Sequence, residues 1–137
     1  MSYAGDVTPA EAWAALSDDP AAVLVDVRTA AEWTYVGVPD LRPIGKDVVP
    51  IEWQRYPGGV RNDGFLAELT AHVGDRSAPV YFLCRSGVRS VAAADAATEA
   101  GWTAAHNVLE GFEGPHDGEQ HRTVAGWKVA GLPWVQG

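Results

Sequence analysis

The chain has one cysteine in 137 residues, Cys84. It therefore cannot close an internal disulfide or form a Cys-x-x-Cys redox pair. Any covalent intermediate on that sulfur has to be resolved by a molecule outside the chain. Positive charge is also scarce: 10 Lys and Arg stand against 18 Asp and Glu, for a net charge of -8. That balance argues against broad nucleic-acid binding, which runs on neutralising phosphates. No window approaches the roughly 18 consecutive apolar residues of a membrane span. The opening residues Met1 to Asp6 lack a basic stretch followed by an apolar one, so no secretory signal is expected and the cytoplasm is the expected compartment. There is no internal repeat and no low-complexity tract.

What is present reads as a globular domain. Hydrophobic residues make up 47% of the chain and charged residues 20%. Residues 1–137 are read as one domain, with a core over about 5–112 and a C-terminal extension over 113–137. Thr8-Pro9-Ala10-Glu11 is a helix start: Thr8 caps, Pro9 suits the first position, and Glu11 completes a capping box. Ala22-Val-Leu-Val-Asp-Val27 and Val80-Tyr-Phe-Leu83 are apolar runs of the kind buried on both faces of a parallel sheet. Thr29 to Trp33 predicts one or two helical turns, and Val48-Val49 a short strand within a long, proline-broken connection over 37–64. Phe65, Leu66, Leu69 and Val73 fall at helical spacing, with Asn62 or Asp63 as cap and Gly74 as stop. Val88 to Ala100 predicts an alanine-rich helix closed by Gly101, and Asn107 to Leu109 a last strand. Strands alternating with helices in one small domain predict an α/β fold with a central parallel sheet flanked by helices on both faces.

Cys84 stands at the carboxyl end of the second apolar strand, the edge at which open α/β sheets bind ligands. The segment continues Cys84-Arg-Ser-Gly-Val-Arg-Ser90. A helix starting near Val88 offers free N–H groups and positive potential to the turn before it. Gly87 lets that turn curl without a Cβ clash. Arg85 and Arg89 are permanent charges with a forked grip for oxyanions. Ordinary thiols titrate near ~8.5, and surroundings of this kind lower that value and favour the nucleophilic thiolate. The blander reading is an inert cysteine filling a core position. The arginines and glycine that follow favour the chemical one.

These residues resemble the active-site loop of rhodanese-like sulfurtransferases. Val23-Leu-Val-Asp-Val-Arg28 followed by Ala31-Glu32-Trp33 is similar to that family's upstream stretch, in the same order and at a similar separation. The resemblance covers about residues 5–112. It implies a cysteine that takes a sulfane sulfur from a small anionic donor such as thiosulfate. The resulting persulfide would pass the sulfur to cyanide or a thiol, and a sulfur-accepting protein is a further candidate acceptor. No cofactor and no metal are implied. Carried over, Cys84 is the nucleophile. The amides of Arg85, Ser86, Gly87, Val88 and Arg89 cradle the outer sulfur. Arg85 and Arg89 bind the sulfonate, and Ser90 donates a hydroxyl bond to Cys84. Two stretches depart from the family's pattern: Gly37-Val-Pro-Asp-Leu-Arg42, which has no histidine, and Glu110-Gly-Phe-Glu-Gly114.

Other signals are weaker. Asp26 and Arg28 read as a structural ion pair or cap, with Glu32 as a further partner. His116, Asp117, Glu119 and His121 match no standard zinc spacing, and Asp117-Gly118 lacks the ligand series of a calcium loop. His72 and His106 read as surface or boundary residues. The tryptophans read mostly as core, with Trp53, Tyr56 and Phe112 as candidates for a pocket wall. Two other functions compete with sulfur transfer. One is a non-enzymatic persulfide carrier or partner-binding module. The other is phosphatase-like or arsenate-reductase-like chemistry, which the loop length disfavours: cysteine phosphatases use Cys-x5-Arg, and here the spacing is Cys-x4-Arg.

Overall fold

The computed structural model describes residues 3–35, 37–55, 60–84, 88–109, Trp127 and 132–135. In chain order the elements are β1 (Gly5–Val7), α1 (Pro9–Asp18), β2 (Val23–Asp26), α2 (Ala30–Tyr35), β3 (Val38–Pro39), a 3-10 turn (Arg42–Ile44), β4 (Val49–Pro50), β5 (Gln54–Arg55), β6 (Val60–Arg61), α3 (Phe65–His72), β7 (Val80–Leu83), α4 (Val88–Glu99), β8 (Ala105–Val108) and β9 (Trp134–Val135). Five strands make one sheet in the order β1-β8-β7-β2-β4, and every neighbouring pair is parallel. Two antiparallel pairs, β3 with β9 and β5 with β6, stand apart from it.

The sheet separates two apolar cores, and alternate strand residues serve alternate faces. Val25, Val80, Phe82 and Cys84 point to one core, where Phe65 and Leu69 of α3 and Ala93, Ala94 and Ala97 of α4 cover them. Leu24, Tyr81, Leu83 and Val108 point to the other, against Ala12 and Leu16 of α1 and against Trp127. The small α4 residues let that helix lie close on the strands. Trp127 is fully buried and meets Trp13 edge-on at 5.9 Å. Trp53 is a core residue: it packs edge-on against Phe65 at 5.0 Å, and the Arg61 guanidinium lies 4.4 Å over its ring. Tyr56 and Phe112 lie outside the described residues.

The helix starts follow local chemistry. The capping box of α1 is complete: Glu11 N–H donates to Thr8 Oγ1 at 3.1 Å, and Thr8 N–H donates to Glu11 Oε1 at 2.9 Å. Asn62 and Asp63 do not cap α3; the capping position is Gly64, with no side-chain bond. Asn62 instead accepts from Gly64 N–H at 3.1 Å and donates to Glu68 Oε2 at 2.6 Å and to the Glu52 carbonyl at 2.9 Å. It braces the turn before the helix rather than the helix itself. Val73 is the residue that closes α3. Strand β8 begins at Ala105, two residues before the expected start. Among the described residues no helix is long and apolar enough to cross a membrane.

Candidate active site

All five parallel strands end at the same edge of the sheet, and β7 delivers Cys84 there. Strand β2 lies alongside, with Asp26 in register with Leu83 and Val27 N–H bonded to the Leu83 carbonyl at 2.8 Å. The residues that follow the two central strands therefore meet: Cys84 from one, Arg28 and Thr29 from the other. Helix α4 starts at Val88, four residues past the cysteine, which places Arg89 and Ser90 in its first turn. Arg85, Ser86 and Gly87, expected to cradle a transferred sulfur, lie outside the described residues, as does the side chain of Val88.

Cys84 is in no disulfide and is only 1% exposed. Its Sγ lies 3.3 Å from Ser90 Oγ. Ser90 is fully buried, and its hydroxyl donates to Asn107 Oδ1 at 2.5 Å. Asn107 Nδ2 donates in turn to Asp6 Oδ1 at 3.0 Å, and the Tyr3 hydroxyl donates to the same oxygen at 2.7 Å. A hydroxyl has a single proton. With that proton on Asn107, Ser90 offers the sulfur a lone pair. The expected contact between Ser90 and Cys84 is present, and either atom could be its donor.

Two ion pairs flank the thiol. Asp26 and Arg28 are both fully buried, with Arg28 Nη2 2.6 Å from Asp26 Oδ2 and Nε 2.9 Å from Oδ1. Arg28 Nη2 also donates to the Gly37 carbonyl at 2.7 Å, which ties the end of β2 to the entry of β3. Gly37 has φ of +112°, a conformation side-chain-bearing residues rarely adopt. Glu32 pairs with Arg89, Oε1 to Nη1 at 2.7 Å and Oε2 to Nη2 at 3.0 Å. That pair joins α2 to the first turn of α4.

Burial opposes ionisation of Glu32. The Arg89 bonds and charge, the Thr29 amide and the Arg28 charge together outweigh it and hold the carboxyl below its ordinary range. Burial likewise works against the Arg89 charge, and the Glu32 bonds and charge, with Cys84 and Asp26, more than restore it. Glu32 also completes a capping box with Thr29: Thr29 N–H donates to Glu32 Oε1 at 3.2 Å, and Glu32 N–H to Thr29 Oγ1 at 3.3 Å.

The sequence reading missed Asn107 and Asp6 as site residues. A signal existed for Asn107: an amide within an apolar strand, buried opposite Phe82, needs a polar partner. Two of the four histidines, His72 and His106, lie among the described residues. His72 is exposed, and His106 stacks on Tyr81 at 4.7 Å, where burial lowers its proton affinity. Among the described residues no group of three acidic, histidine or cysteine side chains could hold a metal ion. His116, Asp117, Glu119 and His121 lie outside them.

A parallel sheet that delivers a cysteine to a helix start, beside a buried Asp-Arg pair, defines a rhodanese-like α/β domain. Residues 4–137 match the family described as the STR4 middle domain. The uncharacterized protein RC0915 of Rickettsia conorii is 36% identical over 130 residues, 94% of this chain and 95% of its own length. The chloroplastic protein THYLAKOID RHODANESE-LIKE of Oryza sativa is 32% identical over 132 residues, which are 96% of this chain and 25% of that protein. The crystal structure of Rv0390 from M. tuberculosis superposes with a TM-score of 0.91 at 60% identity, covering 99% of this chain and 100% of that one.

Two more distant structures share the fold alone. One is the polysulfide-sulfur transferase homodimer of Wolinella succinogenes (TM-score 0.64, 23% identity, 96% of this chain and 78% of that one). The other is a Rhodopseudomonas palustris protein described as a possible tyrosine phosphatase (0.58, 20%, 94% and 83%). The chain belongs to the STR4 middle domain family and is a rhodanese-like protein.

Proposed function

We propose that the protein is a sulfurtransferase that carries a sulfane sulfur as a persulfide on Cys84. The observation that supports it most is the placement of the chain's only thiol at the carboxyl end of a central parallel strand, 3.3 Å from a hydroxyl in the first turn of the next helix. In the first half-reaction the Cys84 thiolate attacks the outer sulfur of thiosulfate. A sulfur–sulfur bond to the enzyme forms, and sulfite leaves with the electron pair of the broken bond. In the second, cyanide or a thiolate attacks the outer sulfur and the enzyme thiolate is returned. No oxidant or reductant enters beyond donor and acceptor.

The amides of residues 85–89 are the proposed cradle for the transferred sulfur, and Arg85 is the proposed grip for the sulfonate. Arg89 has two of its nitrogens on Glu32, so its part is to hold α2 against the thiol-bearing edge and to supply charge. The 1% exposure of Cys84 suits a small donor better than a bulky one.

The test is intact mass after thiosulfate treatment. The expected result is a gain of one sulfur atom, lost on adding cyanide, in the parent and absent in Cys84→Ser. A Cys84→Ser protein that still loads sulfur, or a parent that gains none, would sink the proposal. A second reading, a carrier or docking module without turnover, uses the same thiol. It predicts a single loading event and no repeated consumption of thiosulfate and cyanide.

A further inference from the structure

We infer that Asn107 and Asp6 are positioning residues that set the proton of Cys84 through Ser90. Donor and acceptor counts carry the argument. An ionised carboxylate only accepts, so Asp6 turns the Asn107 amide nitrogen toward itself, at 3.0 Å. The amide oxygen then faces Ser90 and takes its proton at 2.5 Å. Ser90 Oγ is left to accept from the thiol 3.3 Å away. The chain runs one way: Cys84 to Ser90, Ser90 to Asn107, Asn107 to Asp6. Its members sit on β7's end, α4, β8 and the edge strand β1, where Asp6 and Asn107 are register partners. For Ser90 to turn its hydrogen toward an anionic sulfur, the Asn107 bond must break or the amide must flip, and Asp6 opposes the flip. Hydrogen bonds from Tyr3 and Asn107 hold the Asp6 carboxyl below its usual range, which keeps it ionised and the chain oriented.

This inference concerns the reactivity of the thiol used in the proposed transfer, and its test does not require transfer. Among the described residues, the other ionisable groups near the sulfur are Arg89 on α4, Asp26 and Arg28 at the end of β2, and Glu32 on α2. Near Asp6 they are Tyr3, His106 on β8 and Asp95 on α4, whose carboxylate accepts from Tyr3 N–H. All of these stay unchanged in the variants below.

The experiment is the pH profile of iodoacetamide alkylation, read by intact mass, on the full chain. With one cysteine the mass gain reports Cys84 alone. Four proteins are compared: parent, Asp6→Asn, Ser90→Ala and the double variant. Asp6→Asn frees the amide to turn and Ser90 to donate to the sulfur, so the midpoint should fall by about one pH unit, the size of one hydrogen bond to a charged group. Loss of the Asp6 charge also lowers the midpoint, but that part survives in Ser90→Ala. The prediction is therefore a much smaller shift in the Ser90→Ala background. Asn107→Leu, which removes Ser90's acceptor, should lower the midpoint in the same sense and serves as the second variant. Equal shifts with and without Ser90, no shift in Asp6→Asn, or a parent thiol inert at every pH would each overturn the relay. Ser90-dependent coupling in a protein that loads no sulfur would support the relay and sink the transfer reading.

Discussion

Asp26-Val-Arg28 and Asp40-Leu-Arg42 adopt one local geometry in two different surroundings. In both, the arginine amide donates to the Asp Oδ1 two residues back at 3.1 Å. In both, Nε reaches Oδ1, at 2.9 Å and 2.8 Å, and Nη2 reaches Oδ2, at 2.6 Å and 2.9 Å. The first pair is entirely buried, whereas the Arg42 side chain is 72% exposed. Coulomb attraction at a given separation grows as the surroundings exclude water, and so does the cost of stranding one partner. The same six-atom fork is therefore a surface clasp in one place and an internal brace beside the thiol in the other. Glu32–Arg89 stands between them, with side chains 19% and 20% exposed.

The comparison can be broken in three steps, from the largest effect to the smallest. Asp26→Ala leaves a fully buried guanidinium without its neutralising carboxylate, and urea denaturation should show a loss of about 3–5 kcal/mol. A loss under about 1 kcal/mol would mean that burial does not separate the two motifs. Glu32→Gln should cost about 1–2 kcal/mol near neutral pH, since it weakens the Arg89 pair but keeps the side chain's shape. Its sign with pH follows from the lowered carboxyl of folded Glu32. The contribution is fully present above the ordinary glutamate value of about 4.3 and disappears as pH falls through the lower folded value. Stability curves of parent and Glu32→Gln should converge in acid; curves that stay parallel would contradict the pairing. Arg42→Ala should leave the urea midpoint unchanged within error, with or without added salt. A resolved loss there would erase the contrast.

The sequence showed the parts of the fold that carry a long enough pattern. Val23–Asp26 and Val80–Leu83 are apolar on both faces and legible as central strands. Thr8 and Glu11 announced α1 because a capping box is a local device. Strands β1, β3 and β9, of two or three residues, have no period to read. At the site, the thiol and Ser90 were legible as neighbours because a strand-to-helix turn brings positions six apart together. The Glu32–Arg89 pair spans 57 residues of chain, and the Asn107–Asp6 bond spans 101. Only the sheet order brings those residues together. Glu32 was expected beside Asp26 and Arg28 and pairs instead across to α4, although the Arg28 charge still reaches it.

The two margins of the main sheet are its shortest members: three residues at one side, two at the other. Few backbone groups are left there for a stray polypeptide to template on, so outward growth of the sheet by strand addition has little to grip.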